Sequence, residues 1–336
     1  MSKCTPRTSQ AILLLGATCI ALLTLGCITE NGERDLDPDP PRPLKGVSLT
    51  PRSSDPEDFT GFFEKAVRAG DVVSWVGDWG EFEKEDGGAP RVISGLAPTH
   101  GFIPLVVAQF FTQSSGRLLR PLTPETRESY IRLAAKFAGE FQPEYLGLGV
   151  EVNVLYEKSP SDFDGFVSLF SDACDEVRAI SPGTKVFTVF QLERMKGLNG
   201  GLFGGTNDPS LSQWHLLDLF GKSDLFAFTT YPGLVHRSPE LIPTGYYSEI
   251  SSYTEKPVAF TEIGWHSKPS PTGWESSEEE QAEFIGTFFD LTGELDCEFL
   301  IWSFLYDPDA AEPFDSMGLC SRDGRDRPAW HAWIGS

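Results

Sequence analysis

Two stretches of the chain place a carboxylate where an apolar run ends. In Lys256-Pro-Val-Ala-Phe-Thr-Glu262-Ile-Gly-Trp265-His266 a proline opens a buried-type strand and Glu262 closes it. In Tyr145-Leu-Gly-Leu-Gly-Val-Glu151-Val-Asn153 the acid again follows apolar and glycine residues. An unpaired charge costs several kcal/mol to bury, so each acid belongs at the mouth of a strand and not in its middle. Two strand-end glutamates facing one cleft are the equipment of glycosidic bond cleavage, one carboxyl attacking and the other protonating the leaving oxygen. Charges held that close drive their pKa values apart, so that one is protonated and the other ionised near neutral pH. For either acid alone, a solvent-facing strand-end charge is the plainer reading. Together they favour chemistry.

Positioning two such acids requires a repeating scaffold, and from Leu44 the chain alternates. Strands are expected at Leu44–Thr50, Val72–Val76, Phe102–Gln109, Tyr145–Glu151, Lys185–Phe190, Leu225–Thr229, Val258–Glu262 and Phe299–Phe304. Helices are expected at Pro56–Ala69, near Arg91–Leu96, at Pro124–Phe141 behind a Thr123 cap, and at Asp162–Ile180. Four more follow at Leu211–Phe220, near Tyr246–Tyr253, at Glu278–Leu291 and at Pro328–Trp333. Several strands are continuous apolar runs, as buried parallel strands are. A doubly wound open sheet alternates too. Eight units in roughly 290 residues, with no internal repeat and no domain-splitting linker, instead predict an α/β fold, a single (β/α)8 TIM barrel of residues 44–336.

In such a barrel the functional groups lie at the C-terminal ends of the strands. There the sequence offers Trp75, Asp78 and Trp79 at the end of the second strand, Gln109 after the third and Asn153 after the fourth. The fifth gives Gln191 and Glu193, the sixth Tyr231, the seventh Trp265 and His266, and the eighth Trp302. Flat aromatics with amide and carboxylate partners suit a sugar ring, which has an apolar face and a rim of hydroxyls. Strand alternation puts Glu151 on one face with Gly149 and Gly147, leaving open space beneath the acid. It puts Glu262 on one face with Val258 and Phe260, which are expected to fill the barrel interior.

Composition narrows the function classes. The 336 residues are 40% hydrophobic and 23% charged, ordinary for a globular chain, and the net charge is −22. A nucleic-acid backbone needs clustered Lys and Arg, so it is excluded as a partner; a neutral polysaccharide is indifferent to the charge. Residues 1–27 read as a targeting leader, with Lys3 and Arg7 before the apolar Ala11–Leu25. Its end, Leu23-Thr24-Leu25-Gly26-Cys27, resembles a bacterial lipobox, which implies lipidation of Cys27; the alternative is a plain secretory signal cut nearby. Residues 28–43 are acidic and proline-rich, an extended spacer. The expected location is the bacterial cell envelope, lipid-anchored or secreted, with the membrane met only through that anchor and the chain acting as a monomer. Cys174, Cys297 and Cys320 remain in the body; a pair such as Cys297 with Cys320 can bridge in an oxidising compartment, and buried free thiols are as common.

The seventh-strand stretch resembles the nucleophile motif of the large clan of retaining (β/α)8 glycoside hydrolases that includes endo-galactanases, β-mannanases, cellulases and β-1,3-glucanases. Leu148-Gly-Val-Glu151-Val-Asn153 is similar to its fourth-strand acid/base motif. Phe228-Thr-Thr-Tyr231-Pro232 is similar to the sixth-strand segment whose tyrosine bonds the nucleophile, and Ile301-Trp302-Ser-Phe to the eighth-strand segment whose tryptophan floors the sugar site. The ending Gly318-Leu-Cys-Ser-Arg-Asp-Gly-Arg-Asp-Arg-Pro328-Ala-Trp330 resembles the clan's closing phrase. The resemblance covers residues 44–333 and fixes no single family. It implies Glu262 as nucleophile, Glu151 as acid/base, Tyr231 orienting Glu262, and Trp302, Trp265 and Trp79 carrying sugar rings, with no cofactor. One position departs. The clan's asparagine before the acid/base, which binds the sugar 2-hydroxyl, is Val150 here; Asn153, Gln109 or Gln191 are candidate substitutes, and a binding-only envelope protein on the same barrel is the alternative reading.

Other motifs carry less. Gly197-Leu-Asn-Gly-Gly-Leu-Phe-Gly-Gly205 lacks the Lys-Ser/Thr ending of a phosphate loop and is expected to lie over the cleft. His100, His215, His236, His266 and His331 are scattered with no H-E-x-x-H helix, so no catalytic zinc is expected. His266, beside Glu262, has two readings, lining the sugar site or capping its loop.

Overall fold

The apolar runs become parallel strands: β1 (Leu44–Ser48), β2 (Val72–Asp78), β3 (Ile103–Gln109), β4 (Tyr145–Leu148), β5 (Lys185–Gln191), β6 (Phe226–Thr230), β7 (Val258–Ile263) and β8 (Cys297–Trp302). The computed structural model describes residues 42–85 and 87–336; the leader, Cys27 and residues 28–41 of the linker lie outside them. Among the described residues these strands close into a barrel in sequence order, β8 returning to pair with β1. A two-stranded hairpin, Phe111–Thr112 with Arg117–Leu118, sits above β3.

Two cores result from strand alternation. One buried cluster holds strand residues, among them Val72, Leu105, Val107, Phe187, Val189 and Ile301, together with Val150 at the mouth of β4, and fills the barrel. The alternate positions, such as Val73, Val106, Val186, Phe228 and Phe260, pack outward against helical Phe63, Phe137, Phe166, Phe284 and Phe288. Helices with strong terminal signals run where the sequence places them: α1 (Pro56–Ala69), α2 (Ala89–His100) and α3 (Pro124–Phe141), the last capped by Thr123 Oγ1, which accepts from Thr126 N at 3.2 Å. After β4 come α4 (Val152–Lys158) and α5 (Pro160–Ile180), after β5 the single turn α6 (Leu192–Met195), then α7 (Glu278–Thr292) and α8 (Pro328–Gly335).

The helix expected at Leu211–Phe220 is instead a 3₁₀ run, Trp214–Phe220, and the one near Tyr246–Tyr253 is a 3₁₀ run at Ser248–Ser252. Trp214, Leu216, Leu217 and Phe220 are the residues this run buries. The closing segment is pinned by Arg327, whose guanidinium donates to both oxygens of buried Asp307 at 2.7 and 2.6 Å. Cys174, Cys297 and Cys320 are free thiols.

Candidate active site

A β-bulge delivers Glu262 to the barrel mouth. Phe228 on β6 pairs with Phe260, but the next residue, Thr229, pairs with Glu262, so Thr261 is the extra residue of β7. Plain alternation from inward Ala259 would turn Thr261 inward and Glu262 out; the inserted residue reverses this. The expectation that Val258 and Phe260 share Glu262's face and fill the interior is therefore corrected. Both pack outward, in the core shared with the helices.

Glu151 arrives by a different route. β4 stops at Leu148, and two left-handed residues follow, Gly149 at φ 91° and Glu151 at φ 51°. A Cβ at Gly149 would meet the Phe166 ring at 2.5 Å, so this residue faces the helix layer and does not lie beneath the acid; Gly147, against Val107 and Phe187, does face the interior. A left-handed non-glycine residue costs about 1–2 kcal/mol, and such strain clusters where a side chain must be aimed. Here it makes Glu151 the N-cap residue of α4 and turns its carboxyl into the cleft.

The two acids are tied to neighbouring residues of β6 and its exit. Thr229 Oγ1 donates to Glu151 Oε1 at 2.8 Å, and the Tyr231 hydroxyl donates to Glu262 Oε2 at 2.5 Å. The single proton of the Ser303 hydroxyl is shared between the Tyr231 oxygen at 2.9 Å and Ile263 O at 3.0 Å, which fixes the Tyr231 hydroxyl from the side opposite Glu262. Burial and the charge of Glu151 push Glu262 up to about 7, against the pull of the Tyr231 hydroxyl. Burial also raises Glu151, opposed by the Thr229 hydroxyl and the Arg194 charge. The two carboxyls titrate as a pair, the charge of Glu151 disfavouring the ionisation of Glu262.

Both carboxyls open into a cleft of about 810 Å³ at the C-terminal mouth of the barrel. Gln109, Gln191 and Tyr231 line it as expected. Five other candidates lie elsewhere. Trp302 is fully buried on the helix side of β8, its Nε1 donating to Met317 O at 2.8 Å. Trp265 stacks on Phe284 with Nε1 donating to Glu280 at 3.1 Å, and Trp79 packs edge-on against Tyr130 beneath Arg120. Asn153 spends both its polar atoms on Gln191 and Gln213, so it cannot stand in for the asparagine that Val150 replaces. His266 is buried with Nδ1 2.8 Å from Lys268 O, a loop-holding role, and burial lowers its pKa.

The cleft's aromatic wall comes from Trp75, which the sequence offers at the end of the second strand, and from Phe203, Phe304 and Phe314, which sequence reasoning did not select. Trp75 had a signal two positions on, since its ring lies where a Cβ on Gly77 would be, at 2.4 Å. Phe203 arrives on the glycine-rich loop, where Gly201 (φ 59°) passes so close to Leu234 O that a Cβ would sit at 2.2 Å. Gln113, bonded to Gln109 at 2.6 Å, hangs over Val150 with its Nε2 3.4 Å from that residue's carbonyl oxygen. Among the described residues no group of three or more His, Cys, Asp and Glu is arranged to hold a metal ion.

No family model and no curated protein matches the chain. Solved structures do. A GH5_18 variant from Streptomyces cattleya in complex with Manb1-4GlcNAc is similar at TM-score 0.63 and 18% identity, over 88% of this chain and 80% of that one. A family 39 glycoside hydrolase from Bacteroides cellulosilyticus WH2 is similar at TM-score 0.59 and 18% identity, over 87% of this chain and 62% of that one, so this chain spans less than two thirds of its length. The GH53 catalytic domain of Ignisphaera aggregans is similar at TM-score 0.58 and 13% identity, over 86% of this chain and 94% of that one. At these identities the likeness is one of fold: the chain is a (β/α)8 barrel of the architecture on which these glycoside hydrolases are built.

Proposed function

We propose that this protein is a retaining glycoside hydrolase acting on a β-linked polysaccharide or oligosaccharide, held at the bacterial envelope through Cys27. The observation that carries the reading is the convergence of Glu151 and Glu262 on one cleft, each fixed by a hydroxyl from consecutive parts of β6 and its exit. The fold's likeness to glycoside hydrolases, one of them in complex with Manb1-4GlcNAc, supports it, as does the aromatic wall. The leader's lipobox-like end supports the anchor.

In this mechanism Glu262 is the carboxylate and Glu151 the acid. The Tyr231 hydroxyl donates to Glu262 and favours its ionised form against burial and the charge of Glu151, which hold the ligand-free Glu262 up at about 7. The carboxylate this step needs is therefore populated from about pH 7 upward. Glu262 attacks the anomeric carbon as the glycosidic C–O bond breaks, and Glu151 gives its proton to the leaving oxygen. Glu151, now ionised, takes a proton from water, whose oxygen attacks the anomeric carbon and releases Glu262. The test is hydrolysis of a panel of chromogenic β-glycosides and polysaccharides, with product stereochemistry followed by NMR. Full activity of Glu262→Ala rejects the assignment. Sugar affinity without turnover by the wild type favours the second reading, a carbohydrate-binding envelope protein, for which Val150 in the cleft is the motive.

A further inference from the structure

We propose that Glu193 is a positioning residue for the candidate site, a single carboxylate outside the cleft that holds both Tyr231 and Gln191 in place. The inference rests on the reading of Glu262 given above. Glu193 is fully buried on the turn α6. Its Oε1 accepts from Thr230 Oγ1 at 3.0 Å, Tyr231 N at 3.1 Å and Tyr246 Oη at 3.0 Å, and its Oε2 accepts from Gln191 Nε2 at 3.1 Å. Among the described residues no cation pairs with it, and the ionisable groups facing it are Tyr246 and, through Thr230, Tyr247. Lys196 and His236 stand one layer out, against Tyr246.

A buried carboxylate is a poor way to stabilise a core, because a well-packed apolar side chain of similar volume does as well or better. What distinguishes this one is where its donors lead. Tyr231 is gripped at its backbone by Glu193 and at its hydroxyl by Glu262, so the first contact sets the position of the second. Gln191 lines the cleft, and its amide has only one possible orientation: Oε1 must accept from Arg194 N at 3.0 Å while Nε2 donates to Glu193. The main chain of Gln191 is clamped separately by Asn153, so the Glu193 contact governs the side chain alone.

The test is Glu193→Gln in the full chain, which keeps the volume but leaves one neutral acceptor oxygen in place of two charged ones. Either Tyr231 N or Gln191 Nε2 then faces an amide donor, and the hold on Tyr231 is weakened. The readout is the titration of the Glu262 carboxyl carbon by NMR in the ligand-free protein, which needs no turnover. Displacing Tyr231 weakens its donation, so Glu262 titrates higher than in wild type, by about half a pH unit or more. No such rise occurs when Tyr231→Phe is already present, because the hydroxyl that transmits the effect is gone. Tyr246→Phe, which removes one donor from the same oxygen, gives a smaller rise and serves if Glu193→Gln does not fold. A folded variant with an unchanged Glu262 titration, or an equal rise in the Tyr231→Phe background, overturns the proposal. A wild type that shows the coupling but hydrolyses no glycoside rejects the hydrolase reading and leaves the positioning of Tyr231 standing.

Discussion

Thr229 and Glu262 are lateral partners across the β6–β7 pairing, and the Thr229 hydroxyl is the group that Glu151 binds, at 2.8 Å. The acid from β4 is thus referenced to the residue that faces the acid from β7. The bulge at Thr261 creates this pairing, since without it Thr229 would oppose Thr261. Tyr231, two residues beyond Thr229, then closes on Glu262 from the same side.

The two acids are expected to differ in what their loss costs. Glu262→Ala removes the proposed nucleophile and is expected to lower kcat/KM by about 1000-fold or more for every glycoside. Glu151→Ala removes proton donation to the leaving group, a contribution of about 100- to 10,000-fold that a good leaving group does not need. A series of aryl glycosides graded by phenol pKa checks this: the Glu151→Ala rate depends steeply on the leaving group, and the Glu262→Ala rate is uniformly low. Swapped behaviour would exchange the two roles.

Tyr231→Phe tests the hydroxyl contact. The hydroxyl favours the ionised form of Glu262, so its removal raises the pKa of that carboxyl. The active ionised form then appears at higher pH, and the acid limb of the kcat/KM profile moves upward. The loss of activity, expected at about 10- to 100-fold, is larger at pH 6 than at pH 8. An acid limb that stays in place shows that the Tyr231 contact does not tune Glu262.

Much of this architecture was readable in the sequence, and the reasons differ by element. Pro56–Ala69 and Pro124–Phe141 match because proline at the first turn marks a helix start locally, helped by the acidic Glu57 and Asp58 in the first and by the Thr123 cap in the second. The strands stood out as apolar runs, and the two glutamates as charges ending them. The bulge at Thr261 and the left-handed Glu151 leave no periodic trace, so the faces of Val258, Phe260 and Gly149 were misread although both acids reach the cleft. The aromatics failed for a related reason. Ser303, just past the end of β8, lines the cleft while Trp302, one residue away, turns to the helices, and only the barrel's register decides which of two neighbours is inside.

That difference in placement gives a contrast among tryptophans. Trp75 lines the cleft and Trp265 does not. Trp75→Ala is expected to weaken sugar binding by about 1–2 kcal/mol, read as a KM increase of roughly tenfold, with little change in melting temperature. Trp265→Ala is expected to cost about 3–5 kcal/mol of stability by leaving a cavity beside Phe284. Thermal melts and Michaelis curves on both variants decide it; a large KM effect from Trp265→Phe, with the fold intact, would place that ring in the sugar site after all.

The last expectation concerns stability and pH. Glu262 is held at about 7 in the folded chain, above its ordinary value of 4.5. Between those two values the unfolded chain gives up this proton while the folded chain keeps it, so folding loses stability as pH rises through the window and the loss levels off above about 7. Glu262→Gln has no proton to lose and retains an oxygen to accept from Tyr231. It should therefore be more stable than wild type at pH 8, by roughly 1–2 kcal/mol, with the advantage shrinking on acidification and gone below the ordinary carboxyl value. Urea unfolding of both proteins at intervals from pH 4 to 8 measures the difference. A gap that is constant across that range would mean that Glu262 titrates normally and that the cleft does not keep its proton.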